Sequence, residues 1–201
     1  MMNNIPYKFF YWGPFVLHAK ITPEECQMLL EEGKKCRNKS NDYRHQLAGH
    51  LAEEYQITDM KKTVGWLKKY VDTYVEGYNT KWKQRNDVLP KQKLDTLWIN
   101  YMKANEFNPP HDHAGDLSFV IFPDIPQELI EENKEHKGTS QGPGAVTWMY
   151  GYGAHQYITI VPRMPETGDL FIFPASLQHW VFPFRSNVER VSVSGNLLAD
   201  S

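Results

Sequence analysis

Cysteine is scarce in this chain of 201 residues: there are two, Cys26 and Cys36. Both fall in one predicted helix, where ten residues span about 15 Å, beyond the reach of a disulfide. That excludes a disulfide-stapled secreted scaffold and leads us to expect reduced thiols in the cytoplasm. Long apolar runs are also missing. No window of about 18 apolar residues occurs, so no transmembrane helix is expected. The segment Met1 to Lys8 lacks the basic region and apolar run of a secretory signal. A surplus of one charge is absent as well: 22 Lys and Arg face 24 Asp and Glu, for a formal charge of −2. With no basic face or tail, nucleic acid is not an expected partner. There are no repeats and no low-complexity segments. Aromatics, by contrast, are plentiful, with six Trp, eleven Tyr and ten Phe, which suits a β-rich core and an apolar cavity.

The chain is long enough for one domain with a sizeable core. Phe9 to His18 reads as an opening strand broken by Gly13-Pro14. Thr22-Pro23-Glu24-Glu25 then opens a helix, with Thr22 as N-cap, Pro23 in the first turn and Glu25 closing a capping box. Gly33 weakens its end. Arg37 to Tyr43 is a polar loop and Leu47 to Tyr55 a short helical patch. A long helix is predicted from Lys62 to Trp82, because Val64, Leu67, Tyr70, Val71, Tyr74, Val75, Tyr78 and Trp82 recur at steps of three and four. Such an aromatic stripe reads as a helix packed on a sheet.

After Pro90 the pattern changes. Leu94–Met102, Leu117–Phe122, Ala145–Tyr150, Gln156–Val161, Asp169–Phe173, Trp180–Phe184 and Arg190–Leu197 are short and β-rich, with turns such as Gly142-Pro143-Gly144, Gly151-Tyr152-Gly153 and Thr167-Gly168-Asp169 between them. Asp124 to His136 is a charged helical insertion. Lys137 to Gly144 is a loop and a candidate lid. The organisation expected is one domain, with residues 1–90 a helical support region and 91–201 a β-rich core of barrel or sandwich type.

Chemistry concentrates in an ordered set. Asn108-Pro109-Pro110-His111-Asp112-His113 is followed far downstream by Phe173-Pro174-Ala175-Ser176-Leu177-Gln178-His179 and then by Glu189-Arg190-Val191-Ser192. Two imidazoles two residues apart on an extended strand point to one side. A third from a distant strand can complete one face of a metal's coordination sphere and leave positions open, as catalytic metals require. An arginine beyond it can clamp a carboxylate bidentately. His18, His45, His50, His136 and His155 are read as ordinary hydrogen-bonded histidines.

As a set, these motifs resemble the Fe(II)- and 2-oxoglutarate-dependent oxygenases, in the branch similar to prolyl 4-hydroxylases. More closely they resemble a small group of such proteins in T4-like phages of marine cyanobacteria and in some bacteria. The resemblance is carried by Trp98-Ile99-Asn100-Tyr101, by Lys103 to His113, by Gly115-Asp116-Leu117-Ser118-Phe119-Val120-Ile121, by Gly168 to Pro174, by Gln178-His179-Trp180 and by Glu189 to Asn196. It is firm over about Leu94 to Asn196 and extends loosely to Leu47-Ala48-Gly49. It implies a double-stranded β-helix, the cupin-like jelly roll, with the N-terminal helices packed on its major sheet: an α+β, mainly β fold. It implies Fe(II), 2-oxoglutarate and O₂, with ascorbate as an auxiliary reductant. By position, His111 opens the metal motif, His179 is the distal ligand, Arg190 binds the far carboxylate of 2-oxoglutarate, and Ser192 assists it. Tyr101 falls where relatives place a cosubstrate-binding tyrosine. Asn100 lies beside it, facing the opposite way, so only one of the two is expected to reach the cavity.

The usual motif is His-x-Asp, whereas this chain has His113 at the third position. Three ligand schemes compete: His111, His113 and His179; Asp116 with one of the paired histidines; or Asp112, which needs a bulge to turn inward. The expected reaction releases succinate and CO₂ and hydroxylates a C–H bond of a peptide, prolyl residues included, or of a small molecule. Trp98, Trp148, Phe119 and Trp180 are candidate wall residues. The competing readings are a cupin-type metal enzyme that does not use 2-oxoglutarate and a non-catalytic jelly-roll binding module, with a zinc hydrolase a poorer fit. A dimer is compatible with the sequence. The expected location is the cytoplasm, that of the host if a phage encodes the chain.

Overall fold

The computed structural model describes residues 5–11, 13–82, 88–151 and 159–200. Two antiparallel sheets face each other, and two N-terminal helices pack on the outer side of the larger one. The major sheet has the order β1 (Tyr7–Tyr11), β2 (Phe15–Lys20), β9 (Asp169–Pro174), β6 (Leu117–Asp124), β11 (Arg190–Ala199), β4 (Gln92–Met102), β3 (Glu54–Gln56). The minor sheet runs β5 (Asn108–His111), β10 (His179–Val181), β7 (Val146–Tyr150), β8 (Thr159–Arg163). Sequence-distant strands thus become neighbours, as a double-stranded β-helix requires. The first ninety residues do more than support this core, since β1, β2 and β3 are strands of its major sheet.

Period-two alternation sorts the side chains. On β4, Leu97, Ile99 and Tyr101 face the helices, while Met102 belongs to the core between the sheets. On β6, Phe119 and Ile121 point outward and Phe122 inward; on β9, Leu170 and Ile172 point outward and Phe171 and Phe173 inward. Central strands covered on both faces therefore read as nearly continuous apolar runs. β11 departs from this. Val191 and Val193 join the helix-side core, but the alternate positions are Arg190, Ser192 and Ser194, all buried.

The first helix, α1 (Pro23–Cys36), has the predicted cap: Glu25 N donates to Thr22 Oγ1 and Thr22 N to the Glu25 carboxylate. Gly33 does not end it. It is buried where the helix meets Ile99 and Tyr101. The second helix, α2 (Lys61–Gly77), widens into a π turn over Tyr78–Trp82, so the long predicted helix is divided. Leu67, Tyr70, Val71 and Tyr74 supply its buried stripe, whereas Val64 is 43% exposed. Tyr74 Oη donates to Phe15 O and Tyr70 Oη to Lys20 O, tying α2 to β2. A charged helix, α3 (Gln127–Glu135), follows β6 as expected.

Two of these strand and helix expectations are corrected. Leu47 to Tyr55 is not helical: a 3₁₀ turn at Arg44–Gln46 leads through extended chain into β3. Its backbone bonds go across to the sheet, with Tyr101 N donating to Glu53 O. The strand expected over Trp180–Phe184 stops at Val181. The 137–144 loop turns back on α3, where Asn133 Nδ2 donates to Pro143 O. The turn at Gly151-Tyr152-Gly153, the first part of the strand expected at Gln156–Val161, and His155 fall outside the described residues. Cys26 and Cys36 are buried free thiols, their pKa raised by burial. Among the described residues no helix is long and apolar enough to cross a membrane.

Gly195 lies where β11 crosses β4. A Cβ there would sit 2.5 Å from Thr96 O and 2.6 Å from the Phe119 ring. Because a backbone oxygen cannot step aside, Gly195→Ala should destabilise the protein by about 1–3 kcal/mol. Urea unfolding should show the lowered midpoint with an unchanged slope.

Candidate metal and cosubstrate site

The site is a cavity between the two sheets. The minor sheet brings two imidazoles together directly, because His179 on β10 is the cross-strand partner of His111 on β5. The strand ends at His111, and His113 follows in an extended tie anchored by His113 N donating to Ala175 O (2.9 Å). The three side chains converge. Their nearest ligand atoms all lie within 4.8 Å of one another, and Nε2 of His113 is 3.1 Å from Nε2 of His179. Two nitrogens bound at right angles to one transition-metal ion, each about 2.1 Å from it, would be about 3.0 Å apart.

The tautomers suit the same purpose. Nδ1 of His111 donates to Pro109 O (2.7 Å) and Nδ1 of His179 to Leu177 O (2.9 Å). A carbonyl only accepts, so each Nδ1 carries the proton and each Nε2 presents its lone pair. Burial lowers the pKa of all three: that of His111 falls, that of His113 falls to about 4 with His111 contributing, and that of His179 drops well below the usual value, with His111 and His113 adding to the effect. At neutral pH the imidazoles are uncharged, which is the ligating form.

Neither acidic alternative joins this group. Asp116 sits just before β6, where its carboxylate accepts from Ala199 N (2.7 Å). Asp112 is exposed beside the cavity and lies outside the convergent set. Asp112 follows the end of β5, where a residue adjacent to His111 on extended chain faces the other way. The remaining described histidines lie elsewhere: His18 pairs with Asp169, His45 meets the Tyr43 ring edge-on, His50 stacks on Phe107, and His136 meets Ser140.

Arg190, Ser192 and Ser194 line the opposite wall. Arg190 is 2% exposed, and none of the described residues forms an ion pair with it. Its Nη1 reaches only the Met102 sulfur (3.2 Å), its Cζ lies 4.8 Å over the Phe122 ring, and its Nε has no partner. Burial pushes its pKa down to about 9, which still leaves it charged at pH 7. A buried cation with an orphaned N–H calls for an anionic ligand. Asn100 also reaches this wall, with Nδ2 donating to Ser192 Oγ (3.3 Å) and Oδ1 unpartnered. Tyr101 does not. It shares the helix-facing side with Leu97 and Ile99, where the Arg37 guanidinium lies 4.0 Å over its ring. Of the two adjacent candidates, Asn100 reaches the cavity, and the parity of Leu97, Ile99 and Tyr101 was the signal for it.

A match to a family model then decides the class. The family described as "Putative 2OG-Fe(II) oxygenase" matches residues 96–196. The chain belongs to this oxygenase family. The oxygenase accordingly works with Fe(II), 2-oxoglutarate and O₂, and neither the cupin-type enzyme nor the binding module is favoured. Solved structures show the fold. The oxygenase superposes on a prolyl-4-hydroxylase from Pseudomonas putida with a TM-score of 0.56 at 12% identity, covering 98% of this chain and 95% of that one. A viral collagen prolyl hydroxylase from Paramecium Bursaria Chlorella virus-1 gives 0.53 at 12%, covering 94% and 98%. HygX from Streptomyces hygroscopicus, solved with nickel, 2-oxoglutarate and hygromycin B bound, gives 0.57 at 8%, covering 93% and 83%. No curated protein matches the oxygenase.

Several lining residues were given no site role from the sequence, although Leu47-Ala48-Gly49 and Asn108 lie in the stretches that carry the resemblance. Gln46, Leu47, Ala48 and Gly49 form one wall, with Glu54 and Asn108 beside them. Of the expected wall residues, Trp98 lines the cavity; Phe119 borders it while its ring packs in the helix-side core, Trp148 belongs to the core between the sheets, and Trp180 is half-buried away from the cavity. No residue of the 137–144 loop lines it.

Glu54 is 2% exposed, and its Oε2 has no partner. Burial, with Glu106 nearby, pushes its carboxyl from 4.5 up to about 7. With the folded-state pKa above the unfolded one, its contribution to stability is fully present below about pH 4.5 and is lost as pH rises through 7. Glu54→Gln should therefore match the parent protein near pH 4.5 and exceed it by roughly 2–3 kcal/mol at pH 8. Thermal unfolding of both proteins across that range, without ligands, measures the difference.

Proposed function

We propose that His111, His113 and His179 hold the Fe(II) and that Arg190, with Ser192, binds the far carboxylate of 2-oxoglutarate. The observation that carries this reading is the pairing of three convergent, neutral imidazoles with a buried guanidinium that has no acid of its own. When bound, the metal supplies with 2-oxoglutarate and O₂ the oxidising power that hydroxylates a substrate C–H bond, releasing succinate and CO₂. The chain's own residues do the rest. Pro109 O and Leu177 O keep the His111 and His179 rings turned so that Nε2 faces the metal. Arg190 offers a charged fork, placed by its bed against Phe122, that fixes the cosubstrate's orientation. Asn100 holds Ser192 Oγ from the neighbouring strand. Phe173, Val181 and Trp98 line the cavity and keep water from the reacting atoms.

The all-histidine set replaces a carboxylate ligand with a neutral one, so the bound ion keeps its full positive charge and attracts the dicarboxylate cosubstrate more strongly. The primary substrate belongs to the broad class of peptidyl, prolyl included, or small-molecule C–H donors. Ascorbate would serve as auxiliary reductant, and the cytoplasm, a phage-infected host's included, is the compartment proposed.

Anaerobic titration with Fe(II) and then 2-oxoglutarate should produce the weak visible charge-transfer band of the chelate. His179→Ala should abolish it. Arg190→Ala should leave metal affinity unchanged and raise the 2-oxoglutarate Kd by about 100-fold, the loss expected for one charge-assisted pair. Full 2-oxoglutarate affinity in Arg190→Ala would remove Arg190 from the role, and an unaltered band in His179→Ala would remove the triad.

A further inference from the structure

The cavity has a second polar end that the metal and cosubstrate do not use. Glu54 on β3 is the cross-strand partner of Asn100, which in turn pairs with Ser192 on β11. Glu54 and Arg190 thus lie on strands with β4 between them, about 10 Å apart sideways. A dicarboxylate anchored on Arg190 is repelled from the Glu54 end rather than drawn to it.

That end is built of acceptors without donors. Glu54 Oε2, Asn100 Oδ1 and Asn108 Oδ1 are all buried and unpartnered, and all three residues line the cavity. Glu54 and Asn100 are 2% and 4% exposed. The neighbouring carboxylate makes the contrast plain: Glu106 accepts from Ala52 N (2.9 Å) and Lys103 N (2.7 Å). The cation that acts on Glu54 from nearby, Arg44, is committed to Asp42 through Nε (2.9 Å) and Nη2 (2.6 Å). Gly49, with no side chain, lets these oxygens come close to its backbone. A Cβ there would stand 2.5 Å from Asn108 Oδ1 and 2.6 Å from Glu54 Oε1.

We propose that the Glu54 end of the cavity is a subsite for a cationic nitrogen group of the primary substrate, an alkylammonium or a guanidinium. Such a group brings several N–H donors to oxygens that lack them and neutralises the buried carboxylate among the cavity's described lining residues. It also accounts for keeping Glu54, whose burial costs stability while the site is empty. The cavity is then electrically graded, positive at Arg190 for the cosubstrate and negative at Glu54 for the substrate. This rests on the reading of Arg190 as the 2-oxoglutarate anchor.

Calorimetric titration of the anaerobic Fe(II)–2-oxoglutarate complex with Nα-acetyl-lysine amide and Nα-acetyl-arginine amide tests it, with norleucine and citrulline analogues as neutral controls. At least one cation should bind about tenfold or more tightly than its control, as a charge-assisted contact provides, and which one does so separates ammonium from guanidinium. Glu54→Gln should erase the preference and keep the charge-transfer band. Gly49→Ala, which narrows the subsite without touching its charge, should weaken the favoured cation and decides the matter alone if Glu54→Gln does not fold. Equal binding of cation and control, no binding of either cation, or a preference that survives Glu54→Gln overturns the subsite. Loss of the band in the parent protein would instead strike the cosubstrate reading, and the same titration on metal-free protein would still report on Glu54.

Discussion

Burying Arg190 takes a positive charge out of water with only a sulfur, an aromatic face and a hydroxyl-lined wall around it. Such a charge persists only where the surrounding structure is stable enough to hold it and a ligand anion relieves it. The stability comes from the other side of the same strand. Val191 and Val193 anchor β11 in the helix-covered core, between β4 and β6, so the strand cannot rotate its polar face away. The helices α1 and α2 matter to the chemistry for this reason: they cover the outer face of the sheet that carries Arg190 and Ser192 on its inner face.

The histidine end is organised differently. His111 and His179 are locked as a cross-strand pair on the minor sheet, and each ring is held by a carbonyl two residues before it in its own chain. The orienting contacts are local, so they form as soon as the strands pair. His113 depends on the tie to Ala175, a contact between segments more than sixty residues apart in the chain. The triad is therefore assembled by the closure of one sheet against the other, and its imidazoles are neutral because that closure excludes water.

Glu54 gives the cavity its opposite pole. An edge strand of three residues, β3, carries it beside Asn100. The polar row Glu54, Asn100, Ser192 runs across three strands, while the next row toward the histidine end of the barrel contains Trp98 and Ser194. Cosubstrate and substrate sites in this reading share one sheet face and differ by strand, which keeps their charges apart.

Much was legible from local pattern. The capping box of α1 and the apolar stripe of α2 are set by neighbours three and four residues away, so the sequence displays them directly. The β-rich second half and the ordered set His111, His113, His179, Arg190 were equally visible, because strand alternation and residue order need no tertiary knowledge. Even the choice between Asn100 and Tyr101 was present in the parity of Leu97 and Ile99. The segment from Leu47 to Tyr55 was misread because its apolar spacing imitates a helix, whereas its backbone hydrogen bonds are made across to β4 and the turn before β5. By itself, then, the sequence determined the fold class, the start of α1, the apolar stripe of α2 and the candidate metal and cosubstrate residues, since these rest on short-range periodicity and side-chain type. Only the tertiary structure decided that His113 rather than Asp116 completes the convergent set, that Arg190 lacks an acid partner, and that Glu54 lies on the cavity wall. Each of these depends on which distant strands become neighbours, and on the burial that follows, which no local pattern encodes.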